Sequence, residues 1–296
     1  MNYNYYSDHT RFAPSPTGYL HLGHVFSALF AYEASKILGG ELIIRIEDID
    51  KQRSRSHFEK SIFEDLDWIG IKYRKIIRRQ SEKMSDYEAA IEELDRLNLI
   101  YPCFCTRSEI QSEILRAGYA PHGIDHLVYP GTCRRLSKNE KEKRIKTNKN
   151  YAWRLDIRSA AKKIGKLSWH DIRLGNHEVP VGIIGDVVIG RKDVPSSYHL
   201  ASTLDDHIQR VGLVTRGEDL VESTHIHRIL QSLLGLKTPF YFHHPLILDS
   251  SGVRLSKRTR AQTIRAMKAR GLSPKEVINL FGKKNLLSLL SLIKKN

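Results

Sequence analysis

Apolar residues along the chain fall into two rhythms: short near-continuous runs and longer runs repeating every three to four positions. Thr10–Ala13 has the length and polarity of a short strand, and Pro14, Pro16 and Gly18 force a turn after it. From His24 onward Val25, Ala28, Leu29, Tyr32 and Ile37 recur at helical spacing, and Gly39-Gly40 supplies a left-handed stop. Leu42–Ile46 is a near-continuous apolar run, as a parallel strand buried on both faces requires. Residues 10–46 therefore predict one βαβ unit with a Gly/Pro-rich first turn.

Helical patterns follow around Phe58–Leu66 and Asp86–Leu97. Between Leu99 and about Asn150 the character changes: this stretch holds every cysteine and a Lys-rich polar run, Lys138–Lys149, which reads as a solvated loop or helix face. Tyr151–Ile157 and Val179–Ile189 have strand composition, as do Tyr198–Ser202, Val211–Val214 and Phe242–Leu248. A helix is predicted over Asp219–Leu234, closed by Gly235, and Thr263–Ile293 predicts two or three short amphipathic helices. The alternation is that of an α/β protein with a doubly wound, Rossmann-type sheet interrupted by an insertion.

Composition narrows the field. At 296 residues and 41% hydrophobic content the chain can build a sizeable core, which excludes wholesale disorder. Its 48 Lys and Arg against 33 Asp and Glu give a net charge of +15, which points to a polyanionic partner, nucleic acid first. No apolar run is long enough to span a bilayer and Met1–Thr10 has no signal-peptide core, so a cytoplasmic location and no membrane partner are expected. Three cysteines, an odd number, argue against a disulfide framework and for metal or free thiols.

Two motifs carry the chemistry. Arg11–His24 sits where a strand gives way to a helix, whose N-terminus favours an anion. Gly18 and Gly23 let backbone approach a nucleotide, and His21 and His24 are three residues apart. Alone, two histidines at a helix start are more often packing residues. Far downstream, Arg254–Arg258 follows a turn at Asp249–Gly252, and its Ser256-Lys257 pair offers an ammonium to phosphates. Alone, that stretch is more often a basic surface loop. Together the two resemble the signature pair of class I aminoacyl-tRNA synthetases, His-x-Gly-His and Lys-Met-Ser-Lys-Ser. The wording Pro-Ser-Pro-Thr-Gly resembles the glutamyl branch. Arg254 stands where the family has its first lysine, and Lys257 retains the second.

Glutamate carries two carboxylates and an ammonium, so a site for it needs guanidinium forks and an anion. Arg11, Glu47, Tyr198 and Arg216 fall at predicted strand ends, and strand ends of one sheet converge on one crevice. The resemblance implies that Arg11 and Arg216 hold the side-chain carboxylate, Glu47 takes the ammonium, and Tyr198 with Ser15 closes the pocket. It also implies ATP on His21, Gly23, His24, Ser256 and Lys257, with His21, His24, Lys257 and Mg2+ stabilising the phosphates as the substrate α-carboxylate attacks.

Cys103, Cys105 and Cys133 suit a zinc site, which needs a fourth ligand of another type. His122 and His126 are the ordinary candidates, Tyr129 is chemically unusual, and three unligated thiols remain as plausible as zinc. The spacing Cys-x-Cys…Tyr-x-x-x-Cys resembles the glutamyl-queuosine tRNA(Asp) synthetases, which implies one structural Zn2+ on Cys103, Cys105, Tyr129 and Cys133. Only 38 residues follow Arg258, too few for an anticodon-binding domain. The resemblance covers nearly the whole chain and implies four segments. These are a first Rossmann half (1–98), an insertion carrying the zinc site and RNA contacts (99–190), a second half (191–248), and a signature loop with C-terminal helices (249–296). It further implies a monomer that binds ATP, L-glutamate and the anticodon stem-loop of tRNA(Asp), and that glutamylates queuosine there. Two other readings stay open: a truncated synthetase charging a tRNA 3′ end, and a non-enzymatic zinc-containing RNA-binding paralogue.

Overall fold

The computed structural model describes residues 6–106, 108–110, 129–147, 150–191, 194–247 and 263–294. The opening βαβ unit forms as its pattern predicts. Strand β1 (His9–Phe12) leads through the Pro-rich turn to helix α1 (Leu22–Leu38) and strand β2 (Leu42–Ile46). Gly39 ends α1 with φ 78°, a left-handed value that a side chain would strain, and its N–H caps the carbonyls of Lys36 and Ser35.

Helix α2 (Ser56–Ile69), strand β3 (Arg78–Arg79) and helix α3 (Met84–Arg96) complete the first part of the chain. Strands β4 (Ile100–Cys103), β5 (Ala152–Leu155) and β8 (Val187–Arg191) form a separate antiparallel sheet in the order β4-β5-β8. Around it lie α4 (Lys138–Thr147), which has no buried residue, and α5 (Ile157–Ile164).

Strands β6 (Ser168–Asp171), β7 (Gly175–Glu178), β9 (Val211–Gly217) and β10 (Phe240–His244) join β1 to β3 in a seven-stranded sheet, ordered β3-β2-β1-β9-β10-β6-β7. All neighbours pair in parallel except β6 with β7. Helices α6 (Tyr198–Ile208) and α7 (Val221–Leu233) precede and follow β9. The chain's described end carries three helices, α8 (Ile264–Ala269), α9 (Pro274–Asn279) and α10 (Lys283–Lys294).

Because strand side chains alternate, β2 sends Leu42, Ile44 and Ile46 to one face and Ile43 to the other. The first face packs on α1, α2 and the C-terminal helices, through residues such as Phe30, Leu66, Met267 and Leu290. The second packs on α3, α6 and α7, through Tyr87, Ala201 and Leu230. The carboxyl ends of β2, β1, β9 and β10 all point the same way, toward the edge where such sheets take ligands.

Several sequence expectations change. Tyr198–Ser202 is not a strand but the first turn of α6, because Ser197 caps it by accepting the Leu200 N–H and the apolar positions continue at helical spacing. Val179–Ile189 shrinks to a strand beginning at Val187, since Pro180 and Gly182 turn the chain before it. The β6–β7 hairpin, within 99–190, joins the large sheet and was not marked by apolar alternation. Phe242–Leu248 becomes β10, which stops before Pro245; Leu248 itself lies outside the described residues. Among the described residues, no helix is long and apolar enough to cross a membrane.

Candidate active site

A cavity of about 540 Å³ opens at the carboxyl ends of β1, β2 and β9. Arg11, Ser15, His21, Gly23, His24, Glu47, Tyr198 and Arg216 all line it. Residues up to 205 positions apart in the chain thus meet, and Tyr198 arrives from the start of a helix instead of a strand end. Ser256 and Lys257 lie outside the described residues.

The histidine pair is built by the helix terminus. His21 is the N-cap of α1: its Nδ1 accepts the Gly23 N–H at 3.2 Å, while His24 Nδ1 accepts the His21 N–H at 3.2 Å. The ring centroids are 3.7 Å apart. A neutral imidazole that accepts at Nδ1 carries its proton on Nε2, so both rings are set as Nε2–H donors beside a helix N-terminus. That combination suits phosphate oxygens.

The Arg11 flank is ionic. Arg11 Nε donates to Asp206 Oδ1 (3.3 Å) and Nη1 to the Thr215 carbonyl (2.7 Å). Asp206 also accepts from Arg45 Nη1 at 2.7 Å, and Arg45 Nη2 donates to Glu47 Oε1 at 3.1 Å. Burial would push the Asp206 carboxyl up, but Arg45 and Arg11 outweigh it and hold it below the ordinary value. For Glu47 burial prevails over Arg45, and its carboxyl rises. The sequence reading missed Arg45, Asp206 and Asp205. A fully buried arginine inside the apolar run Leu42–Ile46 was the available signal, since a buried charge demands partners.

The Arg216 flank is different. Its Nε donates to His243 Nε2 (3.1 Å), Nη2 to Thr224 Oγ1 (2.5 Å), and Nη1 to Tyr198 Oη (3.2 Å) and His227 Nδ1 (3.3 Å). Burial, then the nearby Arg216 charge, hold His227 well below the usual imidazole value. Burial pulls the Tyr198 phenol in the opposite direction, upward.

Beside the small sheet, Cys103 at the end of β4, Cys105 in the loop after it and Cys133 bring their Sγ atoms within 4.8 Å of one another. Tyr129 Oη lies 3.5 Å from Cys105 Sγ and accepts the Cys133 N–H at 2.9 Å. Three sulfurs at this spacing, with the phenolic oxygen beside them, are compatible with a tetrahedral ion, whose sulfur ligands stand about 3.8 Å apart at bond lengths near 2.3 Å. Hydrogen bonding with Cys103 lowers the Cys133 thiol while Cys103 rises, as expected when one proton is shared between them. The cluster could hold a metal ion. His122 and His126 lie outside the described residues.

The chain matches the family described as tRNA synthetases class I (E and Q), catalytic domain, over residues 8–286. It is 42% identical over 281 residues to the glutamyl-Q tRNA(Asp) synthetase of Rhodobacter capsulatus, covering 92% of this chain and 99% of that relative. The glutamate–tRNA ligase of Hydrogenobaculum sp. is 37% identical over 270 residues, covering 91% of this chain but 56% of the ligase. A solved glutamate tRNA ligase from Elizabethkingia meningosepticum, in complex with its amino acid, superposes with TM-score 0.78 at 28% identity, covering 97% of this chain and 64% of that one. The fold, the cavity at its strand ends and these likenesses agree: the chain belongs to the class I tRNA synthetases (E and Q) and is a ligase.

Proposed function

We propose that the enzyme activates L-glutamate with ATP and transfers it to the queuosine base in the anticodon of tRNA(Asp). The observation that carries this reading is the pairing, on one cavity, of two guanidinium groups and a carboxylate with two imidazoles at a helix N-terminus. Arg11 and Arg216 grip the side-chain carboxylate of the substrate, and Glu47 takes its ammonium. Ser15 and the Tyr198 ring close the pocket. The ATP phosphates lie on Gly23 and on the Nε2–H groups of His21 and His24, with Ser256 and Lys257 contributing from the signature loop. Mg2+ accompanying ATP supplies further charge neutralisation on the phosphates. The α-carboxylate is ionised at neutral pH and needs no general base; it attacks the α-phosphorus, and pyrophosphate leaves with the P–O bond electrons. The mixed anhydride then passes the glutamyl group to a hydroxyl of the modified base, and AMP leaves.

Queuosine as the acceptor is supported by the Rhodobacter capsulatus relative, whose length the chain covers almost entirely. Cys103, Cys105, Tyr129 and Cys133 hold one zinc ion, which ties the end of β4 to the segment before α4. The basic surface receives the anticodon stem-loop, phosphates positioning it and the modified base specifying it. The protein acts as a cytoplasmic monomer.

The test compares tRNA(Asp) with and without queuosine as glutamate acceptor, beside glutamate-dependent ATP–pyrophosphate exchange with no tRNA present. Exchange without tRNA, and glutamate attached only to the queuosine-bearing RNA, is the expected result. Equal attachment to both RNAs would overturn the anticodon reading in favour of 3′-end charging. Absence of exchange in every condition would remove the catalytic reading altogether.

A further inference from the structure

Arg216 is held by a chain of groups that does not itself touch the cavity. Three neighbouring strands build it: Arg216 lies beside His243 across the β9–β10 pair, and β10 lies beside β6, which ends in Asp171. Arg216 Nε–H can only donate, so His243 Nε2, 3.1 Å away, must be the unprotonated acceptor. The imidazole proton therefore sits on Nδ1, 2.7 Å from Asp171 Oδ2. Asp171 is fixed in turn: Oδ2 also accepts the His243 N–H, and Oδ1 accepts the N–H groups of Arg173 and Leu174. His243 and Asp171 are fully buried, and neither lines the cavity.

We propose that Asp171 and His243 are positioning residues for glutamate recognition: Asp171 fixes the His243 tautomer, and the tautomer fixes the guanidinium fork of Arg216 toward the substrate carboxylate. The inference rests on the reading that Arg216 binds that carboxylate. Its physical content is twofold. A flexible arginine ordered before the substrate arrives loses less freedom on binding. A neutral imidazole holds the fork while Asp171 stays one group away, so the positive charge remains available to an anionic ligand. Burial and the hydrogen bond to Asp171 pull His243 in opposite directions; burial prevails and lowers it to about 4, so the ring is neutral at working pH.

Two kinds of substitution test the arrangement in the full chain. Asp171→Asn keeps an acceptor for the turn but presents an amide N–H to His243 Nδ1. The imidazole proton must then move to Nε2, where it opposes Arg216 Nε–H and can turn only to Thr224 Oγ1, 3.1 Å away, which already accepts from Arg216 Nη2. This variant also disturbs the bond from the His243 N–H, so His243→Leu, which keeps that backbone bond, and His243→Gln, which restores an acceptor near the Nε2 position, accompany it. The readout is ATP–pyrophosphate exchange, with KM for glutamate and for ATP measured separately. Expected for Asp171→Asn and His243→Leu is a rise in glutamate KM of roughly tenfold or more, with ATP KM within about twofold. His243→Gln should recover most of that loss.

Imidazole 15N shifts report the tautomer directly: His243 protonated on Nδ1 in the parent, on Nε2 in Asp171→Asn. Unchanged glutamate KM in folded His243→Leu overturns the proposal, as does a parallel rise of both KM values with a lowered melting temperature. An Arg216→Ala control separates the two levels. If its glutamate KM is also unchanged, the underlying reading of Arg216 fails; if it rises while the His243 and Asp171 variants do not move, only the positioning role fails.

Discussion

Arg11 and Arg216 reach the same cavity from neighbouring strands, yet the chain holds them in opposite electrostatic styles. Arg11 leans on Asp206, which it shares with the buried Arg45, and Arg45 extends the network to Glu47, Asp205 and Ser202. Arg216 has no carboxylate within salt-bridge distance among the described residues and rests on two imidazoles, a phenol and a hydroxyl. A guanidinium already paired with a carboxylate has part of its charge compensated, so an anionic ligand gains less from it than from an unpaired one. One held by neutral acceptors while only 4% exposed carries an uncompensated charge, which a substrate carboxylate can compensate. On the proposed reading both arginines touch the substrate carboxylate, with the Arg11 flank organised first for rigidity and the Arg216 flank first for recognition.

The contrast breaks most visibly by removing the shared anion. Asp206→Asn leaves Arg11 without its carboxylate and Arg45 with Glu47 and a 3.7 Å contact to Asp205. Breaking a buried ion pair from one side costs about 3–5 kcal/mol, and the remaining partners of Arg45 place this variant near the lower end, about 3 kcal/mol. Urea unfolding should show a lowered midpoint with the slope unchanged. A midpoint within error of the parent would mean that the ionic flank does not support the fold.

Arg216→Ala is the converse. Its loss should appear in recognition: about 100-fold or more in kcat/KM for glutamate, from losing two charge-assisted hydrogen bonds, with ATP binding nearly unchanged. Exchange kinetics at saturating ATP measure it. A variant that unfolds readily but retains glutamate turnover would reverse the assignment of the two flanks.

The ease with which sequence disclosed these features follows the same division. The βαβ unit was legible because an apolar run, a Gly/Pro turn and a helical repeat agree locally over residues 10–46. The cavity residues Arg11, Glu47 and Arg216 were legible as polar groups at strand ends. Tyr198 was placed correctly at the cavity but on the wrong element, since five residues of mixed polarity cannot distinguish a strand from a capped first helical turn without weighing Ser197. The support beneath the site was illegible. Arg45–Asp206 and His243–Asp171 link residues 161 and 72 positions apart, and such pairing exists only once the strands are ordered. The β6–β7 hairpin was missed for a related reason: Ser-Trp-His-Asp and Gly-Asn-His-Glu are polar, and only Trp169 and Asp171 are buried.

Acid should separate the flanks in order. Burial lowers His243 and His225 to about 4, and holds His227 well below the ordinary value near 6.5 as well. Such groups bind protons in the unfolded chain before they do in the fold. The stability they contribute is complete above about pH 6.5 and is lost as pH falls toward 4. The carboxylates of Asp206 and Asp171 are lowered, so their contribution persists to below about pH 4; Glu47, raised by burial, acts in the opposite sense. For His243 alone, going from pH 6.5 to 5 should cost about 1.5 kcal/mol, since the slope approaches about 1.4 kcal/mol per pH unit only below the unfolded value. Denaturation of the parent and His243→Gln across this range measures it, with the variant losing less on acidification. Parallel curves would show that His243 titrates normally.

The smallest change sharpens the comparison furthest, because it removes one atom from the recognition flank. Tyr198 Oη accepts from Arg216 Nη1 at 3.2 Å, and the ring is about one-third exposed to the cavity. Tyr198→Phe keeps the ring and leaves Arg216 on His243, Thr224 and His227. One hydrogen bond of about 0.5–1.5 kcal/mol is lost, or about 2- to 12-fold in glutamate KM, with stability nearly unaffected. Ser202→Ala is its counterpart on the ionic flank, removing the hydroxyl that accepts from Arg45 Nη2 at 3.3 Å. There three carboxylates still bind the guanidinium, so glutamate KM should move by less than about twofold while the unfolding midpoint falls slightly. If both hydroxyl deletions shifted KM equally, the division between a flank that supports and a flank that recognises would have no energetic basis.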